Sequence, residues 1–326
     1  MSGSKEIDVV SLGETMIRYS PKDHNRLEQA EKLEAKVGGT ESNFSVLLSQ
    51  LGMKVVWISK LTDNPLGRLI ARKIRGFGVD TSKVIWTKNY RVGKYYLEFG
   101  KPPRPTKVIY DRKNSAISNI QPDELDPEVI EAGRIFHTTG ITTALSESCK
   151  KTVLKAMGKA GEDETKVSFD LNYRSKLWGL SEAKDTLEDV LDLVDLLMAD
   201  KTDVEKVLKI SGSSREVAET LANRFDLEVS VLTLGGEGAI AVEDGKVFEG
   251  KPFEIEEVDR IGAGDAFDAG FIYGYQRSGV QKGLDYGLAA AALKHTIPGD
   301  LALLREEEIE DVIKRRARKE KSSVER

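Results

Sequence analysis

The chain of 326 residues contains a single cysteine, Cys149, and only three histidines. One thiol cannot close an intramolecular disulfide, and no CxxC or HxxxH spacing is present from which to build a zinc site. Cys149 therefore reads as a small packing residue without a nucleophile's role, in a protein kept in a reducing, cytoplasmic setting. Charge of one sign is lacking too: 49 Lys and Arg against 54 Asp and Glu leave a formal charge of −5, with no basic excess to bind nucleic acid. No apolar run approaches the roughly 18 residues of a membrane span, and Glu6 and Asp8 interrupt the N-terminus before any signal-like stretch. Two common nucleotide motifs are absent. No Gly-Lys pair is followed by the Ser or Thr of a P-loop, and Gly13 stands alone where a dinucleotide fold wants GxGxxG after the first apolar run.

What is present is the balance of an ordinary globular chain, 40% hydrophobic and 32% charged, which excludes disorder along its length. Short β-type runs at 7–12, 54–59, 134–140, 166–171, 194–199 and 229–235 alternate with helical patterns at 41–51, 66–77, 147–160, 182–193, 214–225, 264–278, 282–295 and 306–319. Such alternation predicts an α/β fold with a mainly parallel, helix-covered sheet. Two stretches break it, 14–36 and 88–114, and read as a small accessory sheet at the edge of the main domain, able to close over a ligand. In the second stretch Tyr95, Tyr96, Leu97 and Phe99 share one strand and suggest pairing with a second copy, or cover for a substrate or core. The basic end, 314–326, reads as a solvated helix tail that frays.

The most informative segment is VDRIGAGDAFDAGFIYGY, residues 258–275. Gly262, Ala263 and Gly264 stand at the mouth of a helix beginning near Asp265, where small residues let backbone amides approach an anion. Asp265 either caps that helix or accepts a proton from a hydroxyl held against a bound phosphate. A second glycine-rich turn, GGEGA at 235–239, follows the last β-type run and can admit a nucleotide or simply turn the chain.

IGAGDAF together with KVGGTESNFSVLLSQLG resembles the two signature regions of the ribokinase-like, or PfkB, sugar kinases, in order, spacing and content. Within that family, VIYDRKNSA (108–116), FHTTGITTALS (136–146), VSFDLNYRSKLW (167–178) and the late PGD (298–300) look like the 2-keto-3-deoxygluconate kinases. The resemblance runs nearly the whole chain. It implies one ribokinase-like domain over 1–326, an αβα sandwich with a β-sheet lid formed by the inserted segments. It also implies transfer of the γ-phosphoryl of ATP to the primary 6-hydroxyl of 2-keto-3-deoxygluconate, with Mg²⁺; the apolar residues of the lid strand add the expectation of a homodimer or higher oligomer through the lid.

By the same resemblance Asp265 is the general base and Gly262, Ala263 and Gly264 form the anion hole. Thr233, Gly235 and Gly238 fall on the nucleotide side, with Gly262, Ala263 and Gly264. Gly39, Asn43, Tyr95, Tyr110, Arg112, Ile141 and Arg174 fall on the sugar side. A keto-acid sugar needs cationic donors for its carboxylate, which Arg112 and Arg174 can supply, and hydroxyl-bearing walls, which Tyr95 and Tyr110 can supply. Taken singly, each arginine reads as well as a surface ion pair.

Three positions depart from the family pattern. Arg260 follows Asp259 where Thr is common, so no monovalent cation is predicted. DKTD, with Asp200 and Asp203, and then Glu205 replace an NxxE segment, leaving Mg²⁺ to be held through water or Asp200 to act as a helix cap. Leu288 stands where some relatives carry Asn near the adenine, which leaves the nucleotide open. A fructokinase or other ketose kinase is the alternative enzyme, and a catalytically inert sugar or nucleotide sensor the alternative of another class.

Overall fold

The computed structural model describes residues 5–324, with side chains of the last helix described as far as Arg318. Thirteen strands form two sheets among the described residues. In chain order they are β1 (Ile7–Leu12), β2 (Met16–Ser20), β3 (Glu34–Gly38), β4 (Val55–Thr62), β5 (Val84–Thr87), β6 (Lys94–Glu98), β7 (Lys107–Asp111), β8 (Gly133–Thr139), β9 (Lys166–Asp170), β10 (Leu196–Asp200), β11 (Val229–Thr233), β12 (Ala239–Glu243) and β13 (Lys246–Gly250). The large sheet runs β13-β12-β11-β10-β9-β8-β1-β4-β5, parallel from β11 to β5 and antiparallel at the β12 and β13 end.

Both faces of this sheet are buried, which is why its strands read as apolar runs rather than alternating ones. In β1, Val9 packs into a core shared with helices Thr40–Gln50, Ala263–Ser278 and Val280–His295, while Val10 and Leu12 pack into a second core with helices Glu147–Glu162 and Leu180–Leu191. Cys149 lies in that second core, and burial pushes its thiol up to about 12, so it stays protonated. No helix among the described residues is long and apolar enough to cross a membrane.

The inserted segments build the second sheet, in the order β3-β2-β6-β7, with β2 and β6 parallel and the outer pairs antiparallel. Alternation along β6 corrects one expectation: Tyr95, Tyr96, Leu97 and Phe99 do not present a common exposed face. Tyr95 and Leu97 turn inward with Met16, Tyr96 stacks on Tyr19 at 5.7 Å, and Phe99 lies under the Arg18 guanidinium at 4.9 Å. The exposed apolar residues of this sheet are on β7 instead, Ile109 at 55% and Tyr110 at 41%. Missed in sequence were β5, whose VIWT is too short to show a period, and the β12 and β13 hairpin, whose Asp244-Gly245 turn was the available signal. The last helix spans Glu306–Val324; whether its basic tail frays concerns side chains outside those described.

Candidate active site

A cleft of about 490 Å³ opens at the carboxyl ends of five neighbouring parallel strands. Each sends residues into its wall: Glu14 after β1, Ile141 after β8, Asp170, Asn172 and Arg174 at the end of β9, Asp200 and Asp203 at β10, and Thr233 at β11. This edge is where open α/β sheets bind ligands, because the following helices turn their N-termini toward it. The second sheet covers one end of the cleft with Met16, Gly38, Tyr95, Val108 and Tyr110.

Two helices begin inside the cleft, each at a glycine and each without a side-chain cap: Thr40–Gln50 after Gly39, and Ala263–Ser278 after Gly262. In the second, the amides of Gly264 and Asp265 find no hydrogen-bond partner among the described residues, so they remain available to an anion. Gly262 has φ of 87°, and a Cβ there would stand 2.1 Å from the Asp300 carbonyl oxygen, so only glycine makes this turn. At Gly264 the same construction meets open space, the room an anion would occupy.

Asp265, expected at the helix start, is the third residue of the helix, past the cap position, and is buried; its Oδ2 accepts a hydrogen bond from Asn43 Nδ2 at 2.6 Å. Asn43 thus belongs to the site. Burial pushes the Asp265 carboxyl up to about 6, against the pull of the Asn43 amide and the Arg174 guanidinium. Other buried or partly buried carboxyl groups share the wall. Glu41, bonded by the Thr139 and Thr142 hydroxyls at 2.7 Å each, is pushed by burial up to about 7. Asp170, held by Asn172 Nδ2 at 2.6 Å, is also raised by burial to about 7, and Asp268, bonded to Asp170, is raised well above the ordinary range.

All seven sugar-side residues expected from the sequence line the cleft: Gly39, Asn43, Tyr95, Tyr110, Arg112, Ile141 and Arg174. Their states differ. Arg112 is nearly buried and committed to Glu14, with Nε 2.8 Å from Glu14 Oε2 and Nη2 on the same oxygen. Arg174 is exposed and makes one weak bond, from Nη1 to the Tyr173 carbonyl at 3.3 Å. On the nucleotide side Thr233, Gly262 and Gly264 line the cleft, whereas Ala263, Gly235 and Gly238 do not. Of the metal candidates, Asp200 caps helix Lys201–Val207 through the Thr202 amide at 2.8 Å, and Glu205 pairs with Lys201 at 3.2 Å. Asp203 also lines the cleft and accepts from the Tyr173 amide, its carboxyl raised by burial and by Asp200. No group of three or more metal-ligating side chains is gathered among the described residues. A single carboxylate suits Mg²⁺, which keeps several waters and takes its other oxygens from phosphates.

Sequence reasoning passed over Glu14, Glu41, Asp170, Asp268 and Asp300, all in the wall. Asp170 and Asp300 lie inside the DLN and PGD segments that carried the resemblance, which was the available signal; Glu14 and Glu41 had none beyond their place beside Gly13 and Gly39.

The pfkB family carbohydrate kinase profile matches residues 6–305. The chain belongs to this family. It is 44% identical over 308 residues to the 2-dehydro-3-deoxygalactonokinase of Haloferax volcanii, covering 94% of this chain and 96% of that one. It is 34% identical over 314 residues to the 2-dehydro-3-deoxygluconokinase of Thermoproteus tenax, covering 94% of each. The crystal structure of 2-dehydro-3-deoxygluconokinase from Thermotoga maritima superposes with a TM-score of 0.90 at 36% identity, covering 94% of this chain and 98% of that one. The chain is a sugar kinase closely related to kinases of 2-dehydro-3-deoxy sugar acids, and the expected ribokinase-like fold, with a large mainly parallel sheet and a smaller one, is the fold observed.

Proposed function

We propose that this kinase transfers the γ-phosphoryl of ATP to the primary 6-hydroxyl of 2-keto-3-deoxygluconate (2-dehydro-3-deoxygluconate). The observation that carries the reading is Asp265: a buried carboxyl raised to about 6, bonded to Asn43, in the first turn of a helix whose free amides face the same cleft. A base with that value is ionised at neutral pH yet basic enough to share a hydroxyl proton. The sugar's O6 gives its proton to Asp265 and attacks the γ-phosphorus. The bond to the bridging oxygen breaks, ADP leaves, and the charge on the transferring group meets the amides of Gly264 and Asp265. Asp203, through water, would hold Mg²⁺, whose chemistry is to neutralise phosphate charge; Thr233 and the turn at Gly235 and Gly238 would flank the nucleotide.

The sugar-acid carboxylate is assigned to Arg174, the freer arginine, with Arg112 offering what Glu14 leaves of its fork. The Glu14 to Arg112 pair favours the second reading, a neutral ketose such as fructose, because it removes one carboxylate donor. Closure of the second sheet over the sugar belongs to the same reading. So does a second copy meeting the exposed β7 face, with the lone buried thiol suiting a cytoplasmic protein. Coupled ADP release with Mg-ATP tests the substrate against a panel of 2-keto-3-deoxygluconate, its galactonate epimer, fructose, ribose and adenosine. Fastest turnover of the gluconate-derived acid is expected. Preference for the epimer revises one hydroxyl, preference for fructose the substrate class, and silence on every sugar returns the sensor reading. Light scattering with and without substrate checks the assembly.

A further inference from the structure

A buried ionic bridge joins the second sheet to the turn that precedes Asp265. Arg18, on β2, is 1% exposed and does not line the cleft. Its guanidinium donates from Nη1 to Asp300 Oδ1 at 2.7 Å and from Nη2 to Asp259 Oδ2 at 2.9 Å. Each carboxylate then reaches a different part of the site. Asp300 Oδ2 accepts from the hydroxyl of Tyr95, the β6 residue in register with Arg18 on the sugar-side sheet. Asp259 accepts from the amides of Ile261 at 3.1 Å and Gly299 at 2.9 Å, bracing the backbone that runs directly into Gly262. The Asp300 carbonyl packs against Gly262, as the collision of a Cβ there shows. Room for the Asp300 carboxylate is left by Gly38 at the end of β3, where a Cβ would stand 2.1 Å from Asp300 Oδ2.

We propose that Arg18 is a positioning residue that couples the seating of the sugar against the second sheet to the shape of the Gly262–Gly264 turn. Two parallel donors on a rigid plane fix the spacing of Asp259 and Asp300, as a point charge on a flexible stem does not. Without the guanidinium the two carboxylates face each other as like charges in a buried site, so one takes a proton or turns away. Either response frees Tyr95 from the Ile261 to Gly262 backbone, and the sugar and phosphate halves lose their common reference. Misplacement by about 1 Å in such a site costs on the order of 10²-fold in rate. The inference rests on the kinase reading above only for which groups react.

The test uses Arg18→Lys and Arg18→Met in the full chain, assayed on whichever panel sugar the wild type phosphorylates fastest, with calorimetric ADP binding measured with and without that sugar. The expected result is a folded Arg18→Lys protein that binds ADP alone within about threefold of wild type. Its kcat falls about 10²-fold, its sugar KM rises, and bound sugar, expected to change ADP affinity in the wild type, leaves it unchanged in the variant. Tyr95→Phe, which removes the hydroxyl's bond to Asp300 and leaves both Arg18 bonds in place, abolishes the effect of bound sugar on ADP affinity and keeps the reading testable if both Arg18 variants fail to fold. Unchanged kcat, KM and coupling in the folded variants would overturn the proposal, as would a lowered Tm with ADP and sugar binding weakened equally and no loss of coupling. A wild type that prefers fructose would revise the substrate and leave the Arg18 result standing.

Discussion

Two clusters of charge sit beside one cleft, one behind the turn at Gly262 and one in its wall, and the protein treats them in opposite ways. Around the turn at Gly262, Arg18 and Lys294 face Asp259 and Asp300, two cations against two carboxylates. Arg18 bonds both carboxylates, and the fully buried Lys294 ammonium donates to the carbonyls of Asp259 and Ile297 at 3.0 Å each. Burial pushes Asp300 up, and the Arg18 guanidinium and Tyr95 hydroxyl oppose it. In the cleft wall, Glu41, Asp265 and Asp268 are buried and Asp170 is partly buried, set among hydroxyls, amides and one another, and the arginine facing them, Arg174, is exposed. The first cluster is balanced and holds shape. The second leaves carboxyl groups whose proton affinities burial has moved toward neutrality, the condition a proton-transferring site needs and a scaffold avoids.

Breaking the unbalanced cluster should cost activity and spare the fold. Asp265→Asn is expected to lower turnover by roughly 10² to 10⁴ with ADP affinity largely kept, measured by coupled assay and calorimetry. The same variant should melt higher than wild type at pH 8. A carboxyl raised from the ordinary 3.8 to about 6 binds its proton more tightly folded than unfolded, so ionising it as pH rises through that window costs the folded state stability. Within the balanced cluster, losing Lys294 should cost the fold. Lys294→Met strands two carbonyls and removes a charge facing Asp259 and Asp300, with an expected loss of about 3 to 5 kcal/mol in urea unfolding; a shift under 1 kcal/mol would remove the distinction between the clusters.

Smaller effects sharpen the boundary between them. Arg174→Ala should slow a sugar acid by about 10 to 100-fold more than fructose, the worth of a charged hydrogen bond, whereas equal losses would count against the acid. Since Arg174 holds the Asp265 carboxyl down, its loss should also move the acid limb of the rate profile to higher pH. In the wild type, kcat/KM should fall about tenfold per pH unit below about 6, as Asp265 takes up its proton, and level off above it. A flat profile from pH 5 to 8 would mean that another group is the base.

The βαβ alternation was legible because a sheet buried on both faces writes apolar runs into its strands, as in VSVLT of β11, and amphipathic patterns into its helices. The second sheet was legible as an interruption of that rhythm, but its inward and outward sides were not, since which of Tyr95 and Tyr96 is covered depends on what lies beneath β6. Within the site, Asp265 and the glycines beside it stood out because a helix opening on small residues is a local feature. Glu41 and Asp268 did not, because nothing in a neighbouring residue says that a helix face will be closed off from water.

The sequence by itself determined the βαβ alternation, the glycine turn at Gly262–Gly264 with Asp265 behind it, and through these the family. Local rules suffice there: backbone sterics at a positive φ and the period of apolar residues act over a few positions. Only the tertiary structure decided that Asn43 meets Asp265 across 222 residues, that Arg112 is held by Glu14 while Arg174 stays free, and that Arg18 bridges Asp259 and Asp300. Proton affinities and ion pairs are set by burial and by partners distant in the chain, and both come into being only when the sheets and helices close around the cleft.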